Sequence, residues 1–156
     1  MTRAICFLSL PLLLASQSVW AANSTIGGHS AVALAGVVAP YSPTLPLNQK
    51  VVMAKLFEGQ DPTFPPITIT ADSITCFAGD VSINTFNCDL KFGTHTINVT
   101  GRKAHEIFAT LIEAGVPANG TAGKIYEALL LLSCTIDPNQ IKQNSGAGAS
   151  CTFTPN

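Results

Sequence analysis

The chain has 156 residues, of which 47% are hydrophobic and 11% charged, with a formal net charge of −1. That length fits one domain with a core of moderate size, and the charge excludes general nucleic-acid binding, which needs a basic face. No apolar run reaches the roughly 20 residues of a membrane-spanning helix.

Residues 1–21 carry the three parts of a cleavable signal peptide. Arg3 gives the charged start, Ala4 to Ala15 the apolar stretch, and Val19-Trp20-Ala21 the cleavage pattern, with the cut after Ala21. Cleavage takes the bases from 8 to 7 against 9 acids, a net charge near −2. Cys6 precedes most of the apolar stretch and is not placed for lipid attachment. Residues 22–46 are rich in Ala, Gly, Ser and Pro and read as a flexible tether; residues 47–156 read as a single disulfide-bonded domain.

Asn48 is a good N-cap for a first helix, with Val52, Met53, Leu56 and Phe57 on one stripe and Gly59 at its end. Asp61 to Pro66 is a proline-broken connection. Ile67 and Ile69 alternate with Thr68 and Thr70 as a strand. The inward phase then shifts to Ile74 and Cys76, which predicts a bulge or turn near Ala71-Asp72-Ser73. Phe77 to Thr85 reads as a loop, with a short strand at Val81 and Ile83. Phe86 to Phe92 and His95 to Thr100 flank Gly93-Thr94 as a hairpin, in a register that pairs Leu90 with Ile97 and Cys88 with Val99.

The best helical pattern runs from Arg102 to Ala114. Ala104, Ile107, Phe108, Leu111 and Ile112 form its apolar stripe, and Gly115 with Pro117 stops it. A further helix is predicted from Ala122 to Leu132. Two short strands close the chain, Cys134 to Ile136 and Ser150 to Thr154, joined by a Gly-rich loop. Helices segregated from strands predict an α+β fold: a small antiparallel sheet with about three helices packed on one face. No solenoid-type repeat is visible.

Once the signal is removed, four cysteines remain, an even count that suits two disulfides in an exported chain. Each lies two residues from an apolar neighbour: Ile74-Cys76, Cys88-Leu90, Cys134-Ile136 and Cys151-Phe153. Alternate strand positions share a face, so all four point inward. Of the three connectivities, Cys76–Cys88 with Cys134–Cys151 is favoured, because each pair faces across a local antiparallel connection.

Catalytic motifs fail on inspection. His105-Glu106 would need a second histidine where Ala109 stands to make a zinc-protease helix. Ser145 and Ser150 lack the strand-to-helix elbow of a serine nucleophile. Gly146-Ala147-Gly148 matches neither a dinucleotide nor a P-loop fingerprint. His95 and His105 lack the third ligand of a catalytic zinc site. No catalytic residue, metal site or cofactor is assigned. Asn23, Asn98 and Asn119 stand in glycosylation sequons.

One feature opposes the helix dipole. Lys50, Arg102 with Lys103, and Lys124 fall in the first turns of the predicted helices, while Glu58 and Glu113 fall near two ends. Free N–H groups with added cations suit an anion, so Gly101, Arg102 and Lys103 form a candidate anion-binding site, set against a plain solvated surface.

Several runs carry a resemblance: Thr70-Ala71-Asp72-Ser73-Ile74-Thr75-Cys76, Gly101-Arg102, His105-Glu106-Ile107-Phe108-Ala109-Thr110, Glu113-Ala114-Gly115-Val116-Pro117, Ser133-Cys134-Thr135-Ile136-Asp137-Pro138 and Gly148-Ala149-Ser150-Cys151-Thr152-Phe153. Over residues 48–154 the chain resembles a group of small uncharacterised exported bacterial proteins with four mature cysteines. The resemblance implies a periplasmic or secreted setting and carries over no activity and no functional residue.

The sequence therefore reads as an exported, non-enzymatic domain, either a binding or inhibitory module or an envelope component. Its partner would be an envelope protein or an anionic ligand, with no nucleic acid and no membrane span after signal removal. The alternative is a small secreted hydrolase with a loop-assembled site. Mass spectrometry of protein recovered from an exporting host tests the processing: the denatured mass should begin at Ala22 and rise by about four units on reduction. A full-length mass with free thiols would overturn it.

Overall fold

The computed structural model describes residues 23–78, 85–116, 126–128, 130–141 and 147–155. In chain order the elements are β1 (Ser24–Gly27), α1 (Gly28–Val38), a 3-10 turn (Ala39–Tyr41), α2 (Leu47–Phe57), β2 (Ile67–Ala71), β3 (Ser73–Ala78), β4 (Phe86–Phe92), β5 (His95–Thr100), α3 (Gly101–Glu113), β6 (Tyr126–Ala128), β7 (Leu130–Ile136), the short α4 (Pro138–Ile141) and β8 (Ala149–Pro155). The class is α+β with antiparallel pairing throughout. The strands form two sheets of four, ordered β1-β8-β7-β2 and β5-β4-β3-β6, where the sequence reading expected one. Helices α1 and α3 pack on β8 and β4 respectively and on each other, and α2 packs on α1.

The phase shift at Ala71-Asp72-Ser73 is the point where the chain leaves one sheet for the other. Ile67, Ile69 and Ala71 face the core from β2, and Ile74 and Cys76 from β3. Between them the Asp72 N–H donates to the Lys91 carbonyl at 2.8 Å, and the Asp72 carboxylate accepts from the Gly93 N–H. The β4–β5 hairpin has the expected register, Leu90 opposite Ile97 and Cys88 opposite Val99.

Both disulfides form as expected, Cys76–Cys88 and Cys134–Cys151. Each joins residues directly opposite on the two central strands of its sheet. All four cysteines are fully buried.

Three expectations are corrected. Residues 22–46 are not a tether: β1 forms the edge of the first sheet beside β8, and α1 buries Ala31, Leu34, Ala35 and Val38. Small residues let this helix approach its neighbours closely, and the same residues give a sequence with the composition of a linker. The helix expected from Ala122 to Leu132 is replaced by β6 and β7. Leu132 is fully buried opposite Phe153, beside the Cys134–Cys151 bridge, so cross-strand pairing overrides the helical spacing of the leucines. Third, Phe57 and Ile112, placed on apolar stripes, are about half exposed. The expected strand at Val81 and Ile83, Lys124, Asn119 and the signal peptide lie outside the described residues.

The two halves repeat one plan. In the second, β3, β4, β5, α3 and β6 follow in sequence. In the first, the corresponding elements are β7, β8, β1, α1 and β2, so this unit takes its first two strands from the C-terminal part of the chain and the rest from its N-terminal half. The correspondence reaches single residues. Gly28 and Gly101 both open a helix at positive φ, 61° and 66°, which lets the chain turn sharply from edge strand to helix. Ile26 pairs with Cys151 as Val99 pairs with Cys88. The Ala31 and Ala104 carbonyls, each three residues into its helix, lie 3.5 Å from Cys151 Sγ and Cys88 Sγ. Ala31, Leu34, Ala35 and Val38 are buried at the same spacing as Ala104, Ile107, Phe108 and Leu111.

Two stability predictions follow from this packing. Replacing either cysteine pair by alanine should lower the unfolding free energy by roughly 3 kcal/mol in urea titrations. The two losses should be similar, because loops of 12 and 17 residues differ little in closure entropy; a loss under about 1 kcal/mol for either pair would contradict it. Gly36 of α1 faces Phe57 of α2 closely: an added Cβ would stand 2.6 Å from Phe57 Cδ2 and 3.2 Å from its Cβ. Alanine gains about 1 kcal/mol over glycine inside a helix, yet overpacking costs about 1–3. Gly36→Ala should therefore lower the melting temperature; a rise would show that Phe57 moves aside freely.

Candidate functional site

The helices do more than cover the sheets. Helix α2 has no counterpart among the described residues of the second half, and it leans on α1 so that a groove of about 560 Å³ opens between α1, α2 and α3. Gly36 against Phe57 closes one end of the α1–α2 contact, and Lys50 Nζ, donating to the Pro40 carbonyl at 3.3 Å, closes the other, so the two helices run antiparallel. Helix α3 is also antiparallel to α1. Ser30 near the start of α1 donates to Glu113 at the end of α3, with oxygen distances of 2.7 and 2.9 Å, and Lys103 near the start of α3 reaches Tyr41 just beyond α1.

The apolar lining comes from Val37, Met53, Ala54 and Phe57. Met53 is fully buried and forms the floor; Phe57 is 49% exposed, a ring that solvent reaches along the groove. Leu47 and Val51, one helical turn apart on α2, are also exposed.

Charged groups stand around this lining: Lys50 and Glu58 from α2, and Arg102, Lys103 and Glu106 from α3. They are not evenly matched. Arg102 Nε lies 3.8 Å from Glu106 Oε1 one turn along the helix, and Glu58 accepts from Gln60 at 3.4 Å. Lys50 and Lys103 are held by neutral oxygens instead, the Pro40 carbonyl and the Tyr41 hydroxyl, and the Lys103 ammonium also sits 5.5 Å from the Tyr41 ring centroid. Both acceptors belong to the 3-10 turn just past α1, so both lysines reach toward that end of the groove.

Arg102 and Lys103, singled out from the helix-dipole mismatch, thus line a concave site, together with Lys50, which carried the same signal. Gly101 does not line it; its role is the turn that starts α3. The missing partners were Gly36 and Val37 of α1 and Pro40 of the 3-10 turn that follows it. The sequence cue was the apolar run from Ala31 to Ala39, preceded by Gly28 so that Gly28-x-x-Ala31 matches Gly101-x-x-Ala104.

The histidines lie apart from one another. His95 opens β5 opposite Phe92, and His105 packs edge-on against the Phe86 ring at 4.9 Å between centroids. Among the described residues, no group of three or more His, Cys, Asp or Glu side chains could hold a metal ion, and no helix is long and apolar enough to cross a membrane. Asn98 is exposed on β5 and donates to Asp89 at 2.7 Å.

No family model, curated protein or solved structure matches the chain.

Proposed function

We propose that this chain is an exported, non-enzymatic binding domain of a bacterial envelope or secreted setting, and that the groove between α1, α2 and α3 is its binding site. The observation that carries this reading is the groove itself: a concave, mainly apolar site with a few convergent charges, in the size range of small-ligand pockets. Its lining supplies apolar surface and fixed charges rather than a nucleophile and a base, which supports binding over the hydrolase alternative. Two fully buried disulfides suggest an oxidising environment and support export, as does the apolar stretch within residues 1–21.

Native mass spectrometry of protein recovered from its exporting host tests the reading. Wild-type protein should carry a non-covalent mass that is lost on denaturation. Ala54→Trp, which fills the groove from an exposed position and leaves the core intact, should carry none while melting as wild type does. An equal extra mass on the Ala54→Trp protein, or none on wild type, would overturn the groove as the site.

A further inference from the structure

Resting on that reading, we infer that the occupant of the groove is a single-chain amphiphile with an anionic head, a medium-chain fatty carboxylate, bound with its head at the Lys50 and Lys103 end and its chain along the exposed Ala54 and Phe57, over the buried Val37 and Met53. The charge pattern sets the direction. Of the acids of the site, Glu106 pairs with Arg102, while Glu58 accepts only a neutral amide, from Gln60, at the far end of α2 from Lys50. Among the described residues, the ammonium groups of Lys50 and Lys103 touch neutral groups, so with Arg102 and Glu106 paired the lining is left with two cations toward the Pro40–Tyr41 end against one acid, Glu58, a net positive charge. A carboxylate there would accept charge-assisted hydrogen bonds that neither the Pro40 carbonyl nor the Tyr41 hydroxyl can match.

The rest of the groove asks for an apolar chain. From Lys50 to Phe57, α2 rises about 10 Å, and along that length the groove presents Ala54 and the half-exposed Phe57 ring over the buried Met53. This is a narrow, one-sided apolar path with a charged end. A free inorganic anion would leave it empty, and an uncharged chain would leave the ammonium groups as they are. A protein partner would need a far larger patch, since specific interfaces bury about 800 Å² on each side.

Isothermal titration calorimetry with four probes, on the disulfide-intact chain and below micelle-forming concentrations, tests the inference. Decanoate should bind one to one, decanol at least about tenfold more weakly, and decyltrimethylammonium and acetate should give no measurable heat. The Lys50→Glu, Lys103→Glu double variant should weaken decanoate by about tenfold or more and leave decanol unchanged. Ala54→Trp should abolish both. Circular dichroism on each variant should match wild type, since Lys103 and Ala54 are exposed and Lys50 is only half buried.

Decanol binding as tightly as decanoate, or decanoate binding untouched by the charge reversal, would overturn the head-group assignment and leave the groove standing as an apolar site. Failure of every chain-bearing probe, with a groove-dependent mass still present on native protein, would overturn the amphiphile alone. Failure of every probe with no such mass would overturn the groove reading as well.

Discussion

Everything in the first half of the molecule depends on β8 lying between β1 and β7. Thr25 stands opposite Thr152 across β1 and β8, a separation of 127 residues, and Cys151 on the same strand is bonded to Cys134 on β7. Until β8 is in place, β1 has no neighbour and α1 has no sheet for Ala31, Leu34 and Ala35 to pack against. Such long-range closure is entropically costly and slow. The disulfide eases the second part of that problem, because once Cys134 and Cys151 are joined, β8 is held beside β7 and only β1 with α1 must still dock.

The second half has no such dependence. Elements β3, β4, β5 and α3 follow one another, joined by short connections at Gly93-Thr94 and Gly101, and their disulfide spans 12 residues. Two units with the same strand order, the same buried helix spacing and the same cystine-to-alanine contact therefore differ in how they are assembled. One is local and the other is closed by the two ends of the chain. The site draws on α2, which the first unit carries between α1 and β2, and on residues that differ between the units: Arg102, Lys103 and Glu106 on α3 correspond to His29, Ser30 and Ala33 on α1. The repeated plan supplies rigidity, and the departures from it supply the groove.

Legibility in the sequence followed contrast. Strand β4 alternates buried and open positions along its whole length, and α3 has a sharp apolar stripe, so the hairpin register, the helix and both disulfides could be read directly. Helix α1 gives no such contrast. It is small and apolar almost all round because it is covered by β8, α2 and α3, and a helix without a polar face resembles a linker in composition. The leucines before Cys134 satisfied helical spacing equally well, and only the strand opposite them, 20 or so residues away, decides the matter. The repeat was hidden because its first copy is split between the chain ends. The site was half visible: Lys50, Arg102 and Lys103 stood out as misplaced charges, but the surface that gives them a purpose includes α1.

The frame supplies the floor of the groove, Val37 and Met53, but the residues that line its open side are a separate set. Ala31, Leu34, Val38, Ala104, Ile107 and Leu111 are almost completely buried, where loss of even a few methylene groups costs a large share of a marginal stability. Ala54, Phe57, Arg102 and Lys103 are exposed and hold little of the fold together. Exposed lysines on neutral oxygens add little to stability, and a half-exposed phenylalanine leaves apolar area in water that an inward-facing residue would not. These are features that a chain selected for stability alone would have little reason to keep on one concave face. They are consistent with a face shaped by what it holds, and because the frame does not rely on them, its specificity can change without loss of the fold.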